Sequence, residues 1–483
     1  MLEDLIRERE RKLHRYAESA NPYPAESRAR APIASVLTRF KGKTAPRGSI
    51  SVSGRISGWR DQGKLIFADL RDASGSIQLI LNTKGTKGFA LVKETFDVGD
   101  FAEVAGSLAL TKRGEKSVEV KSVRLLAKGI RPIPSDWYGL EDTETRLRKR
   151  YLDLLTHPEA RELFVKKSAF WSSIRSSLTA AGFLEVETPV LEPVPGGAEA
   201  EPFVTHHKAL DTDFFLRISL ELPLKKLLVG GFEKVFEIGR IFRNEGIDRE
   251  HLQDYTQMEC YWAYADANAM MKFVERTYKA AIKAACGSLT TPFDGKKITW
   301  GKKWAVVDYY RIFKKETGLD LATATVDELR TKAREVGAKP EPNAGKGRLI
   351  DLIYKKMVRP KLIQPCFLVN PPVEVEPLAK RLASDSNRVA RFQVVAAGTE
   401  LGKGFSELND PIDQRKRFEE QMALRAAGDT EAQRLDEDFL EALEYGMPPA
   451  AGFGMSERLF AVLMDKPIRE TVIFPLMRRD ESN

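Results

Sequence analysis

Residues 232–266 read FEKVFEIGRIFRNEGIDREHLQDYTQMECYWAYAD. Two runs in this stretch alternate, Val235 to Arg243 and Tyr255 to Tyr261. Successive side chains of a strand point to opposite faces, so the alternation predicts two strands joined by a charged loop. Arg243 and Glu245 then continue one face of the first strand. Tyr255, Gln257, Glu259 and Tyr261 share one face of the second. If the strands pair, a guanidinium, two carboxylates and two aromatic rings line one surface. That surface is a poor core and a good seat for a nucleotide together with a cationic amine. The plain alternative is an exposed hairpin, since sheets with one wet face are common.

The rest of the chain bounds what surrounds this hairpin. Its 483 residues of ordinary globular composition are enough for about two or three domains and an ample core. It has no apolar run of the roughly 20 residues that span a bilayer, so no membrane partner is expected. The opening MLEDLIRERERKLHRYAES is charged throughout and is not a secretory signal. Cys260, Cys286 and Cys366 are scattered and odd in number, which fits a reducing cytoplasm rather than a disulfide framework. His206 and His207 are adjacent, but no Cys/His spacing suits a structural zinc. Net charge is +8 with a pI near 9.1, and the first fifty residues hold 11 Lys/Arg against 6 Asp/Glu. This basic arm suits a nucleic-acid phosphate backbone. The favoured reading is plainer, a solvated helix laced with i,i+4 pairs, Glu3 with Arg7 and Glu8 with Lys12.

Residues 1–20 are predicted as a charged helix stopping before Asn21-Pro22. From Ile50 to Leu126 five alternating runs follow, with glycines in the turns, which suggests a small barrel. In the second run Phe67 falls on the face with Asp69, away from Ile66 and Leu70, and so reads as a surface aromatic. A linker with Gly129, Pro132 and Pro134 precedes the helical DTETRLRKRYLDLL. Residues 266–285 and 326–358 read as helical, and there are no internal repeats.

The exact residues carry a resemblance. "GRIFRNEG" followed by "HLQDYTQMECYWAYAD" resembles the second signature motif of class II aminoacyl-tRNA synthetases in its lysyl form. "GFLEVETPVL" resembles the first motif, a dimer-interface helix and strand ending at Pro189. "PGGAEAEPFVTHHKALDTDFFLRISLEL" resembles the lysyl-specific segment after it. "FSELNDPIDQRKRFEEQ" and "LEYGMPPAAGFGMSERLF" resemble the C-terminal part with the third motif. "NPYP" matches the N-terminal extension of the bacterial enzymes, and "GRISGWRDQGKLIFADLRDASGSIQLIL" resembles the OB-fold anticodon-binding domain. The motifs occur in order over nearly the whole chain.

The resemblance implies an α+β chain. An N-terminal helical extension (1–45) precedes a five-stranded OB barrel (46–130) and a linker (131–150). A catalytic domain (151–483) of antiparallel mixed sheet flanked by helices follows, with an insertion near 320–360. It implies a cytoplasmic homodimer that joins L-lysine to tRNA with ATP and Mg2+, and no DNA partner. Arg243 would hold the α-phosphate, a task that suits a planar guanidinium fork. Arg458 would close the other face of the adenine and reach the γ-phosphate. Glu245 would accept from the adenine amino group, Tyr255 would stack under the base, and His251 would meet the outer phosphates. Asn244, Leu252, Leu401 and Gly454 fall on further nucleotide-binding positions. Glu407 would pair with the substrate ε-ammonium, with Glu221, Glu259 and Tyr261 around it and Gly197 on a loop above. Three acids with no nearby arginine in these segments argue against aspartate as the substrate. Glu400 would bind Mg2+. On the barrel, Phe67 would stack on an anticodon base, worth roughly 1–3 kcal/mol. Gln78 would read a base edge, and Arg60, in a poorly matching loop, is a weaker candidate.

The chain departs from the family pattern at several places. Pro223 stands where a tyrosine is usual, Lys403 where an asparagine is, and Gln393 where a second metal-binding glutamate is. Leu252 replaces an asparagine, and "GFGMSER" is one residue short. Lys403 either points away, binds the substrate carboxylate, or competes beside Glu407. Competing readings are a ligase for another amino acid, an enzyme that modifies a protein, and an RNA-binding relative without catalysis. The last would be favoured by loss of Arg243 or Arg458, and both are present.

Overall fold

A computed structural model of the chain describes residues 2–28, 31–41, 45–134, 141–246, 248–341, 344–427 and 432–478. It divides into two compact units, residues 1–143 and 144–483. Part of the expected linker, 135–140, lies outside the described residues. No described helix is long and apolar enough to cross a membrane.

The first unit opens with helix α1 (Leu2–Ala17). Its surface pairs are i,i+3, Asp4 with Arg7 and Glu8 with Arg11, and not the i,i+4 pairs the sequence suggested. Lys12 instead reaches Asp97 at 2.7 Å. Tyr16 is buried, and its hydroxyl accepts the Leu125 N–H at 3.0 Å. The helix is thereby tied to a closed barrel of β1 (Ser49–Asp61), β2 (Leu65–Arg71), β3 (Ser76–Asn82), β4 (Phe101–Leu110) and β5 (Lys116–Ala127). Strand order is β1-β2-β3-β5-β4, with β4 returning to β1. Closure leaves no edge to template other chains. Ile66, Ala68 and Leu70 are fully buried and Ile77, Leu79 and Leu81 nearly so, which is the alternation read from the sequence. A short helix, α2 (Phe89–Thr95), between β3 and β4 was not anticipated.

The second unit is built on an eight-stranded sheet. Its strands are β6 (Leu184–Glu185), β7 (Lys234–Phe242), β8 (Asp254–Ala263), β9 (Ala305–Asp308), β10 (Cys366–Val369), β11 (Arg391–Ala396), β12 (Thr399–Ser406) and β13 (Ala450–Ser456). The order is β9-β10-β11-β12-β13-β8-β7-β6, parallel only at the β9/β10 and β7/β6 pairs. One face carries Phe236, Met258, Cys260, Phe392, Val394, Phe453 and Met455. They pack against two long helices, α3 (Pro158–Ala180) and α5 (Ala267–Cys286). Helix α5 starts where the Asp266 side chain accepts the Ala269 N–H and stops at Gly287 with φ 68°. Between α3 and β7 lies α4 (Glu221–Val229). Pro223 sits in its first turn, where a missing N–H costs no intrahelical bond. The expected insertion holds helices Val326–Glu335 and Lys346–Ile353.

Candidate active site

With one sheet face given to the helices, the other is left for chemistry. The register aligns Gln393 with Lys403, Lys403 with Gly454, Gly454 with Glu259, and Glu259 with Glu237. One row across five strands thus collects residues from distant parts of the chain. The next row on the same face aligns Arg391, Phe405, Gly452 and Tyr261. Gly452 is there because a Cβ would lie 2.2 Å from Glu407 Oε1 and 2.4 Å from the Tyr261 ring.

Glu221, Glu259 and Glu407 are all buried at one end of this face. Glu259 Oε1 accepts from Ser219 Oγ (2.8 Å), the Leu220 N–H (3.0 Å) and Gln257 Nε2 (2.5 Å), and Oε2 accepts from Tyr261 Oη (2.8 Å). A carboxylate offers about four lone-pair sites, so the protein itself already satisfies most of Glu259. Gly197 has φ 81°, and a Cβ there would meet Glu221 Cβ at 2.9 Å and Ser219 Oγ at 3.0 Å. That close approach and the left-handed backbone both require glycine.

The sequence reading noted no arginine among these acids, and it missed a lysine that the structure places there. Lys225, fully buried on α4, bonds Glu221 Oε1 at 2.5 Å and pairs with Glu407 Oε2. Burial pushes Glu221 up to about 7 and Glu407 well above the usual carboxylate range, and the Lys225 charge opposes both. The signal in the sequence was the Glu221–Lys225 spacing of one helical turn. For Lys403 the sequence left three alternatives open. Its Nζ bonds Glu376 Oε2 at 3.0 Å, and Arg391 Nε lies 3.2 Å from the same oxygen. It therefore does not sit beside Glu407 as a competitor.

The other end of the face is cationic. Arg243 donates from Nε and Nη2 to the Ile218 carbonyl at 3.2 and 3.1 Å, and its guanidinium lies 5.8 Å from the Tyr255 ring centre. Burial raises the Tyr255 phenol, and the charges of Arg243 and Arg458 oppose that rise. Glu245 is half-buried nearby and acts electrostatically on the same ring, while Asn244 is exposed. Arg458 donates to the Glu250 carbonyl at 3.1 Å. Its neighbour Glu457 was missed by sequence reading. Glu457 is buried, accepts from Lys167 at 2.5 Å and takes the Thr256 N–H at 2.9 Å. His251 turns its Nδ1 to Asp248 at 2.8 Å. Leu252 and Leu401 are nucleotide-site expectations whose side chains lie elsewhere. Leu252 packs with Ala461 and Ile468, and Leu401 belongs to the core on the helical face. The Leu401 carbonyl also accepts from Tyr278 Oη at 2.7 Å. Gly454, by contrast, lies in the site row.

Glu400 is held below the usual carboxylate range: burial raises it, but the charges of Arg391, Arg458, Lys403 and Arg359 outweigh that. Gln393 Nε2 donates to Glu400 Oε2 at 2.6 Å. One carboxylate beside an amide fits a divalent cation shared with substrate phosphates, since Mg2+ is commonly held that way. It does not fit a second ion, because the amide brings no charge and four cations crowd the carboxylate. Among the described residues no group of three His, Cys, Asp or Glu side chains could hold a metal. Gln393→Glu is expected to bind an additional Mn2+ ion per site in the presence of an ATP analogue, counted by electron paramagnetic resonance. An unchanged count would mean the amide does not limit metal loading.

On the barrel, Phe67 pairs across strands with Arg60 and Ile80, and Asp69 with Gln78. Phe67 is half-buried on the outer face. Arg60 lies at the end of β1 rather than in a loop, and its guanidinium bonds Asp69 at 2.8 Å. Gln78 accepts from Ser117 Oγ at 3.1 Å.

Residues 142–478 match the family model of tRNA synthetases class II (D, K and N), and residues 50–126 match the OB-fold nucleic acid binding domain. The chain therefore belongs to the class II tRNA synthetases. It is 44% identical to the lysine–tRNA ligase of Moorella thermoacetica, over 99% of this chain and 98% of the relative. It is similarly 44% identical to the lysine–tRNA ligase of a Roseiflexus species and 42% identical to that of Chloroflexus aurantiacus, each over 99% of both chains.

Proposed function

We propose that this chain activates L-lysine with ATP and transfers it to the 3′-terminal adenosine of its tRNA. Membership of the family and the full-length likeness to lysine–tRNA ligases support the reaction class. The observation that carries the amino acid is the buried trio Glu221, Glu259 and Glu407 at one end of a sheet whose other end holds Arg243 and Arg458. A primary ammonium is costly to bury unless it is paired, and this trio supplies the pairing.

In the first step a lysine carboxylate oxygen attacks the α-phosphorus of ATP, and the bond to pyrophosphate breaks. Arg243 meets the charge that develops on the α-phosphate oxygens, anchored by its two bonds to Ile218. Tyr255 and Arg458 take the two faces of the adenine, and Glu245 accepts from its amino group. His251 meets the outer phosphates. Glu400, with Gln393 beside it, would hold Mg2+, which neutralises phosphate charge when bound. In the second step a terminal adenosine hydroxyl attacks the aminoacyl carbon and AMP leaves. Little covalent chemistry falls to the protein, so positioning and charge stabilisation supply the rate.

Phe67, Gln78 and Arg60 form the surface for the anticodon, where a half-buried ring on the outer face gives a stacking platform. A homodimer is supported by apolar side chains left exposed in the first motif, Leu184 at 49%, Val190 at 39% and Leu191 at 42%. The test of the reaction is ATP–pyrophosphate exchange with each of the twenty amino acids. Strong exchange with lysine alone is expected. Exchange with a different amino acid would place the specificity elsewhere, and no exchange even with tRNA added would overturn the reading.

A further inference from the structure

Lys225 has no role in the reaction as described, yet its surroundings are unusual. Its side chain is fully buried, with Nζ between Glu221 and Glu407. The rings of Phe405 and Phe439 lie 5.3 and 5.9 Å from that nitrogen. Two buried carboxylates so placed cannot easily both stay ionised, and without a cation one of them takes a proton. Glu259 and Lys403 also act on Glu221, and Glu376 acts on Glu407. Lys403 and Arg391 are engaged by Glu376, and the four donors to Glu259 are all neutral groups. Lys225 is the cation in contact with both members of the pair.

The geometry points to Lys225 as a positioning residue for the amino acid: a resident ammonium that favours the ionised form of the Glu221–Glu407 pair, so that the substrate ε-ammonium has fewer protons to displace on binding. The inference rests on the reading that this pocket takes lysine. It adds that affinity depends on a second, internal lysine which the substrate joins rather than replaces.

The experiment follows lysine binding to the full chain by calorimetry in two buffers of different ionisation enthalpy, with KM measured across neutral pH. In Lys225→Met, lysine binding should release more protons than in the natural chain. The KM for lysine at pH 7 should rise about tenfold for each unit by which the shared proton's pKa climbs, and should fall again as pH increases. The KM for ATP should stay within about twofold, and Lys225→Arg should restore the natural profile. If the methionine variant does not fold, Lys225→Gln, which can still hydrogen-bond both carboxylates, carries the same readouts. A variant with the natural proton count and pH profile would overturn the inference, as would a parallel loss of ATP affinity, which marks a merely structural lysine. Failure of the natural chain to activate lysine would instead remove the reading of the pocket.

Discussion

Arg243→Lys is expected to lower amino-acid-dependent ATP–pyrophosphate exchange by about 10²–10³-fold, the usual cost of losing one preorganised donor to a developing oxyanion. The reason lies in how the fork is held. Two of its N–H donors go to the Ile218 carbonyl. A guanidinium carries five donors, so most of the fork remains for a phosphate. A lysine ammonium is a point charge with three donors and no plane. It can bond Ile218 or point at the ligand, but cannot fix its orientation while doing both. The Tyr255 ring, 5.8 Å away, also loses a planar partner to stack against. The loss should fall on kcat rather than on the KM for lysine, because the charge concerned grows only as the carboxylate attacks. A change confined to the KM for lysine would place Arg243 at the amino acid and not at the phosphate.

Glu407→Gln should do the converse. Removing one partner of a buried ion pair costs about 3–5 kcal/mol, or roughly 10²–10⁴ in affinity, because it strands the other charge. Here two charges are affected. Lys225 loses a partner and keeps only Glu221, and the substrate ammonium loses its acceptor. The site has no slack to recover by rotation, since Gly452 leaves the Glu407 carboxylate only the space that a Cβ would fill. The KM for lysine is expected to rise by that factor while the KM for ATP changes little, measured by exchange at saturating levels of the other substrate. Because Lys225 is fully buried, thermal stability should fall as well, which scanning calorimetry would record. A variant that binds lysine normally would sink the assignment of this pocket.

Much of this site was legible along the chain. The alternation in Val235 to Arg243 and Tyr255 to Tyr261 set which side chains share a face within each strand, and the observed strands run from Lys234 to Phe242 and Asp254 to Ala263. In the barrel the same period separated Phe67 from the fully buried Ile66, Ala68 and Leu70. These properties are local. A two-residue repeat dictates sidedness wherever the strand ends up. Residue identity in the motifs carried the family, and with it the class of chemistry.

The sequence by itself thus determined the strand faces and the family, because each is written in neighbouring residues. Only the tertiary structure decided which faces meet. Gln393, Lys403, Gly454 and Glu259 form one row because β11, β12, β13 and β8 lie side by side, and strand order is set by the burial of the opposite face on α3 and α5. Long side chains then choose partners by what that packing brings near. Lys403 goes to Glu376, and Lys225 to Glu407, a residue on a different element. No spacing along the chain encodes those choices, since burial makes an unpaired ammonium costly and the fold decides which carboxylate is within reach.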